Sequence, residues 1–209
     1  TCALPIFDAT WEIPLPKNSG PVPEWYRFEA EALQRYRRGE FDYVQLSHIN
    51  PSNFRNWDGT VRPSILRSYN KPITVPIENV IRLTGNEIDR VEDFVKTAGI
   101  LEFEHRILFE CSFSSGQSFV TPDLAQEIAK HIYDLLPNSS VIFLTHLPMT
   151  LADPRSRHVG HLSLRECAHL THHCTLFLGA GSGGTVAATS TAARPIPIML
   201  MLREDTAAF

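Results

Sequence analysis

The chain has 209 residues, of which 43% are hydrophobic and 20% charged, with a net charge of −4. That is enough for a sizeable core in one or two ordinary globular domains, and the mild acidity gives no electrostatic argument for nucleic acid or an anionic membrane surface. No run approaches the ~18 apolar residues a membrane span needs. The sparse, irregular cysteines Cys2, Cys111, Cys167 and Cys174 are unlike a disulfide framework and fit a reducing, cytoplasmic setting.

The chain opens on Thr1-Cys2-Ala3-Leu4-Pro5-Ile6, which back-translates as ACG-TGT-GCT-CTT-CCG-ATC, a common sequencing-adapter string. Residues 1–6 are therefore expected to be adapter read-through, with coding sequence missing upstream. Residues 7–24 are rich in Pro and Gly and read as extended loop. In 24–38, Trp25, Phe28, Ala32 and Leu33 fall at helical spacing, and Gly39 is a suitable stop. The β-prone run 41–49, "FDYVQLSHI", reads as a strand followed by a loop through Asp58-Gly59. Residues 60–83, with Pro63, Pro72 and Pro76, read as irregular linker.

From Thr84 the pattern becomes regular. Thr84 and Glu87 make a capping box, and Ile88, Val91, Val95 and Ala98 mark the buried stripe of a helix ending near Gly99. A strand is expected at 106–112, then the loop "FSSGQSF". Thr121-Pro122-Asp123 opens a helix whose expected stripe is Leu124, Ile128, Ile132 and Leu135. A strand at 140–146 leads to a polar loop, 147–162. Ser163 and Glu166 cap the next helix, "TLFLG" is a strand, and a glycine turn opens a helix at about 183–193. "IPIML" is the last strand.

Residues 100–201 thus alternate strand and helix, the signature of a doubly wound parallel α/β layer that binds ligands beyond the carboxyl ends of its strands. Two loops rich in Gly and Ser, 112–118 and 179–185, both fall at such ends. Glycines admit a close ligand, and a helix start offers free N–H groups to an anion, so the pair reads as a phosphate site. Ser112, Ser114, Ser115, Gln117 and Ser118 offer neutral donors around Gly116. No Gly-Lys-Ser/Thr follows, which excludes a P-loop ATPase. Gly179, Gly181 and Gly184 match G-x-G-x-x-G, but Met199 and Leu200 stand where a ribose-binding acid belongs, which disfavours NAD. "CAHLTHHC", 167–174, reads as a helical surface histidine cluster rather than a zinc site. Ser182 partly fits the nucleophile elbow, with His146 or His161 as its partner, so a hydrolase stands as a minor alternative. Arg155, Arg157, His158 and His161 make a basic loop able to offset a diphosphate.

Residues 158–200, "HVGHLSLRECAHLTHHCTLFLGAGSGGTVAATSTAARPIPIML", together with 107–132, resemble the nucleotide-sugar-binding domain of GT-B glycosyltransferases, most of all the heptosyltransferase-like group. The resemblance implies a GT-B-like α/β fold: a Rossmann-type C-terminal domain at 84–209 and an incomplete α/β N-terminal, acceptor-side portion with linker at 7–83. It implies a glycosyltransferase fragment that moves a sugar from a nucleotide-diphosphate donor to a glycan or glycolipid acceptor in surface polysaccharide or lipopolysaccharide synthesis. No metal or cofactor is implied, and a glycolipid acceptor would allow peripheral membrane association. By resemblance Ser182, Gly183, Gly184 and Thr185 hold one donor phosphate. Ser114, Ser115, Gly116, Gln117 and Ser118 hold the other or the sugar, and Arg157, His161 and Glu166 lie on the nucleoside side. The family's base falls in a stretch this chain is expected to lack, leaving His48 and Asp58 as catalytic candidates. Gly181 and Val186 stand where the family carries Asp and His, so ADP-heptose is not implied as the donor. The rival functions are a non-catalytic nucleotide-sugar-binding module and a GT-B sugar-nucleotide epimerase.

Overall fold

The computed structural model describes residues 31–42, 72, 74–112 and 118–203. Its contacts divide the chain into two compact units, Thr1–Pro72 and Ile73–Phe209. In the first, residues 31–37 are helical and stop where expected: Gly39 takes φ 74°, its N–H donates to Tyr36 O, and Glu40 N donates to Arg35 O. These two bonds and the left-handed glycine form a Schellman stop, which satisfies carbonyls the helix end would leave open. The strand expected at 41–49 lies largely outside the described residues, and Phe41 and Asp42 are not in a strand.

The second unit is an α/β layer. Helix α1 (Gly85–Ala98) leads through a 3-10 turn (Ile100–Glu102) to β1 (His105–Glu110). There follow α2 (Pro122–Leu135), β2 (Ser139–Leu144), β3 (Ser156–His158), α3 (Leu164–Leu170) with a 3-10 turn (Thr171–His173), β4 (Leu176–Gly179), α4 (Gly183–Ala188) and β5 (Ile198–Leu200). The five strands are all parallel, in the order β3-β2-β1-β4-β5. Successive connections run outward from β1 to β3, then cross back to β4 and continue outward to β5. The direction reverses between β1 and β4, the topological switch where such sheets open a crevice. The fold is Rossmann-like at this level.

Strand alternation builds two cores. Leu108, Ile142, Leu144 and Phe177 face α1 and α3, packing with Val91, Val95, Cys167 and Leu170. Ile107, Phe109, Val141, Phe143 and Leu178 face α2, packing with Ala125, Ala129 and Tyr133. Both faces of β1 and β2 are therefore covered, which is why Ile107–Phe109 and Val141–Leu144 read as unbroken apolar runs.

Both capping boxes form, at Thr84 with Glu87 and at Ser163 with Glu166, and Thr121 caps α2 with Pro122 following. Four expectations are corrected. The stripe of α2 is rotated: Ala125, Ala129 and Tyr133 are buried, while Leu124, Ile128 and Ile132 flank them and Leu135 is 80% exposed. Small alanines let the helix approach the sheet, and Tyr133 finds a buried partner in Ser156 Oγ at 2.8 Å. The polar loop 147–162 contains strand β3, held to β2 by backbone pairing rather than by apolar side chains. Helix α4 ends at Ala188, not near 193, because Thr191 N donates to Asn79 O and Asn79 bonds back to Val186 O and Thr189 Oγ1. The closing strand, expected over "IPIML" at 196–200, is confined to β5 (Ile198–Leu200) and forms an exposed sheet edge.

The starts of α1 and α3 are joined by Arg165, whose Nε lies 2.8 Å from Glu87 Oε1 and whose guanidinium also reaches Arg82 O. The Arg165 hydrogen bond first, and the Thr84 N–H next, lower the Glu87 carboxyl from its ordinary 4.5 to about 2. A depressed native value stabilises the fold above pH 4.5, and that contribution disappears as pH falls from 4.5 through about 2. Carboxyl NMR titration of the native protein is expected to place Glu87 well below its neighbours, and Arg165→Met is expected to raise it and flatten part of the acid limb. A wild-type Glu87 titrating at its ordinary value would refute the pairing.

Candidate functional site

A cavity of about 650 Å³ opens at the carboxyl edge of the sheet, beside the switch between β1 and β4. The ends of β1 and β2 contribute Glu110, Ser112, Leu144, Thr145 and His146. The β3–α3 connection contributes Val159, Gly160, Leu162 and Leu164, and the glycine turn contributes Gly181, Ser182, Gly183, Gly184 and Val186. The volume falls within the ~300–1,000 Å³ of small-molecule sites.

One wall is organised by a buried acid. Glu110, at the last position of β1, is 2% exposed, and its carboxylate reaches across to the turn after β4. Oε1 accepts from Ser182 Oγ at 2.7 Å and Gly184 N at 2.6 Å. Oε2 accepts from Ala180 N at 2.8 Å and Thr185 Oγ1 at 2.7 Å. Thr185 Oγ1 in turn accepts from Gly181 N. Both oxygens are thus doubly satisfied, the arrangement a buried carboxylate needs to offset its lost hydration. Two glycines of the turn are required, for different reasons. A Cβ on Gly184 would lie 2.5 Å from Glu110 Oε1, and Gly181 takes φ 67°, where a Cβ would also meet Leu202.

The glycine turn therefore already holds an anion, and that anion belongs to the protein. Among the described residues, the N–H groups of Ser182 and Gly183 have no hydrogen-bond partner. At the opposite side Ser112 Oγ lies 3.3 Å from His146 Nδ1. No acid pairs with the other ring nitrogen among the described residues, so this contact orients His146 rather than building a nucleophilic triad.

Of the residues the sequence pointed to, Ser182, Gly183 and Gly184 line the cavity, and Thr185 sits behind them on Glu110. Ser118 does not reach it: its hydroxyl is buried and donates to Met201 O at 2.7 Å, fastening the loop after β1 to the end of β5. Arg157 lies on β3, where its guanidinium bonds the carbonyls of Ala98, Pro154 and Ser156. Glu166 is buried as the α3 cap and bonds Arg90 at 2.5 Å. His161 is exposed and does not line the cavity. Ser114, Ser115, Gly116, Gln117, His48 and Asp58 lie outside the described residues. Ser182 donates to Glu110 and His146 faces Ser112, so the elbow pairing of Ser182 with His146 is not formed. Cys167 and Cys174 belong to the core, where burial pushes both thiols up to about 12.

Sequence reasoning missed Glu110 and Thr145. Glu110 carried one signal, an acid placed directly after the apolar run Ile107–Phe109 at the end of a strand of a parallel sheet. Comparison of the chain with protein-family models, curated proteins and solved structures finds no match.

Removing Glu110 strands two backbone donors in the wall. Glu110→Ala is expected to cost about 3–5 kcal/mol, a fall in melting midpoint on the order of 10 °C. Glu110→Gln is also expected to destabilise, because its amide N–H₂ meets donors, whereas Ser112→Ala at the same rim should stay within about 0.5 kcal/mol. Thermal denaturation of the three variants decides; wild-type stability in Glu110→Ala would dismiss the carboxylate as the tie.

Proposed function

We propose that this cavity binds a nucleotide-sugar donor and that the chain is the donor-binding part of a GT-B-type glycosyltransferase, acting on a glycan or glycolipid acceptor in surface polysaccharide or lipopolysaccharide synthesis. The observation that carries the reading is the coincidence of a small-molecule-sized cavity with a glycine turn at the switch point of a parallel sheet. The resemblance of residues 107–132 and 158–200 to that family's donor domain gives the reaction class.

Glu110 alters how a donor would sit. Its carboxylate fills the place behind the turn, so a diphosphate lies outside it, on the N–H groups of Ser182 and Gly183. The Ser112 hydroxyl and the His146 ring face the same cavity and supply further donors. Leu144, Val159, Leu162, Leu164 and Val186 give the apolar surface a nucleoside packs against. As the sugar–phosphate bond breaks, negative charge grows on the departing diphosphate, and fixed donors aimed there lower the barrier. The acceptor hydroxyl must lose its proton to a base; the candidates His48 and Asp58 fall in the first unit, outside the described residues.

A thermal-shift panel of UDP-, GDP-, ADP- and CMP-sugars, with the free nucleotides alongside, tests this. A ligand at a hundred times its Kd stabilises by about 2.7 kcal/mol, which for a chain of this size raises the midpoint by roughly 5–10 °C. His146→Ala is expected to reduce the shift without lowering the ligand-free midpoint. A panel in which no nucleotide sugar or nucleotide stabilises the protein would overturn the proposal, and a shift without sugar transfer would favour the non-catalytic binding module.

A further inference from the structure

We propose that Glu92, His169 and His173 form a binding site for a divalent first-row transition ion, with Zn²⁺ the ion their donor set suits best. The three side chains come from two packed helices. Glu92 lies in α1, His169 in the last turn of α3, and His173 at the end of the 3-10 turn that continues it. Leu170 and Thr171 keep right-handed helical dihedrals, so the helix passes into the turn without a break. Residues four apart then stay on one face, which is how paired histidines reach a single ion.

The distances fit a metal. His173 Nε2 lies 2.8 Å and His169 Nε2 3.2 Å from the same oxygen, Glu92 Oε1. Ligand atoms of the three residues all lie within 4.8 Å of one another. Around a tetrahedral Zn²⁺ with bonds of about 2.0–2.1 Å, ligands sit roughly 3.3 Å apart. Shifts of a few tenths of an ångström to about an ångström would let all three point at one ion. Two imidazoles and a carboxylate are a borderline donor set that suits Zn²⁺ and its neighbours, not Mg²⁺ or Ca²⁺, which prefer oxygen.

The setting is built for it in two respects. The histidine side chains are about four-fifths buried, at 18% and 19% exposure, while Glu92 at 49% leaves an open side for entry and for a water ligand. The backbone under them is fixed: Arg106 donates to His173 O, Arg194 to His172 O, and Thr171 Oγ1 donates to Ala168 O. His172 is set apart, its Nε2 facing Ala192 O at 3.2 Å, and Cys167 and Cys174 point into the core. The third ligand comes from a helix some eighty residues upstream, which is why the run 167–174 alone does not complete a site. The position assigns the role. Leu164, at the start of α3, lines the cavity, but His169 and His173 lie at the far end, where the chain enters β4 at the amino edge of the sheet. The ion would clamp α1 to α3 and would take no part in chemistry at the carboxyl edge.

Isothermal titration of the chelator-stripped full chain with ZnSO₄, without nucleotide, tests the site independently of the cavity's ligand. One saturable equivalent is expected, with Co²⁺ giving the visible absorption of a low-coordinate site and Mg²⁺ giving no binding. Changes in outer-shell partners alone weaken metal sites on the order of 10–100-fold, so His173→Ala, His169→Gln and Glu92→Gln should each weaken Zn²⁺ by at least about tenfold. His172→Ala should bind as the wild type does. Absence of saturable binding would overturn the site, and so would wild-type affinity in the Glu92→Gln and His169→Gln variants, since the ion would then sit on other histidines. Both of those replacements are at partly exposed positions, so they remain decisive if His173→Ala fails to fold.

Discussion

The carboxylate of Glu110 holds the two halves of the sheet together at the place where its direction reverses. It leaves β1 and takes four donors from the turn that follows β4. A buried charge is tolerable only when such partners surround it. Gly184 must lack a Cβ because the oxygen is there, and Ser182 and Thr185 must carry hydroxyls because they donate to it. What looks in the sequence like a cradle waiting for phosphate is, in its inner half, a cradle already filled by an acid from the neighbouring strand. Ser182 and Gly183 also line the cavity, and their N–H groups have no hydrogen-bond partner among the described residues.

Much of the layer was legible because its signals are local. A capping box needs two residues three apart, and both, at Thr84–Glu87 and Ser163–Glu166, form as read. Short apolar runs, Ile107–Phe109, Val141–Leu144 and Leu176–Leu178, gave β1, β2 and β4, and parallel burial on both faces is what makes such runs continuous. The misses share a cause as well. Strand β3 is Ser-Arg-His, with nothing apolar to mark it; it exists because β2 offers an edge. The α2 stripe was read from its largest aliphatic residues, while the centre of the contact with the sheet is Ala125, Ala129 and Tyr133, with Ile128 and Ile132 packed at its margin.

The site was legible to the same degree. Ser182, Gly183 and Gly184 do line a cavity, since glycines at a strand end mark backbone that comes close to something. Ser118, Arg157 and Glu166 were plausible ligand groups by type, yet each is held by a partner distant in the chain: Met201, Ala98 and Arg90. Chemical type says what a side chain can bind. Only the fold says what it meets first.

The seam between α1 and α3 applies this to the rest of the molecule. Glu87 meets Arg165, Arg90 meets Glu166, and Glu92 meets His169 and His173, in the same order along both helices. Matching order means the two helices run side by side in the same direction, as helices packed on one face of a parallel sheet do. The pairs of Glu87 and Glu92 are partly exposed and contribute little each, about 0–1 kcal/mol, so the apolar contacts of Val91, Val95, Cys167 and Leu170 must supply most of the adhesion. The polar seam instead sets register. Sliding α3 by one turn would leave Glu166 buried without Arg90, and an unpaired buried carboxylate costs far more than the pair contributes. Because Leu164 at the near end of α3 lines the cavity, that register also fixes one wall of the site, and the acid that caps the helix is what holds it there.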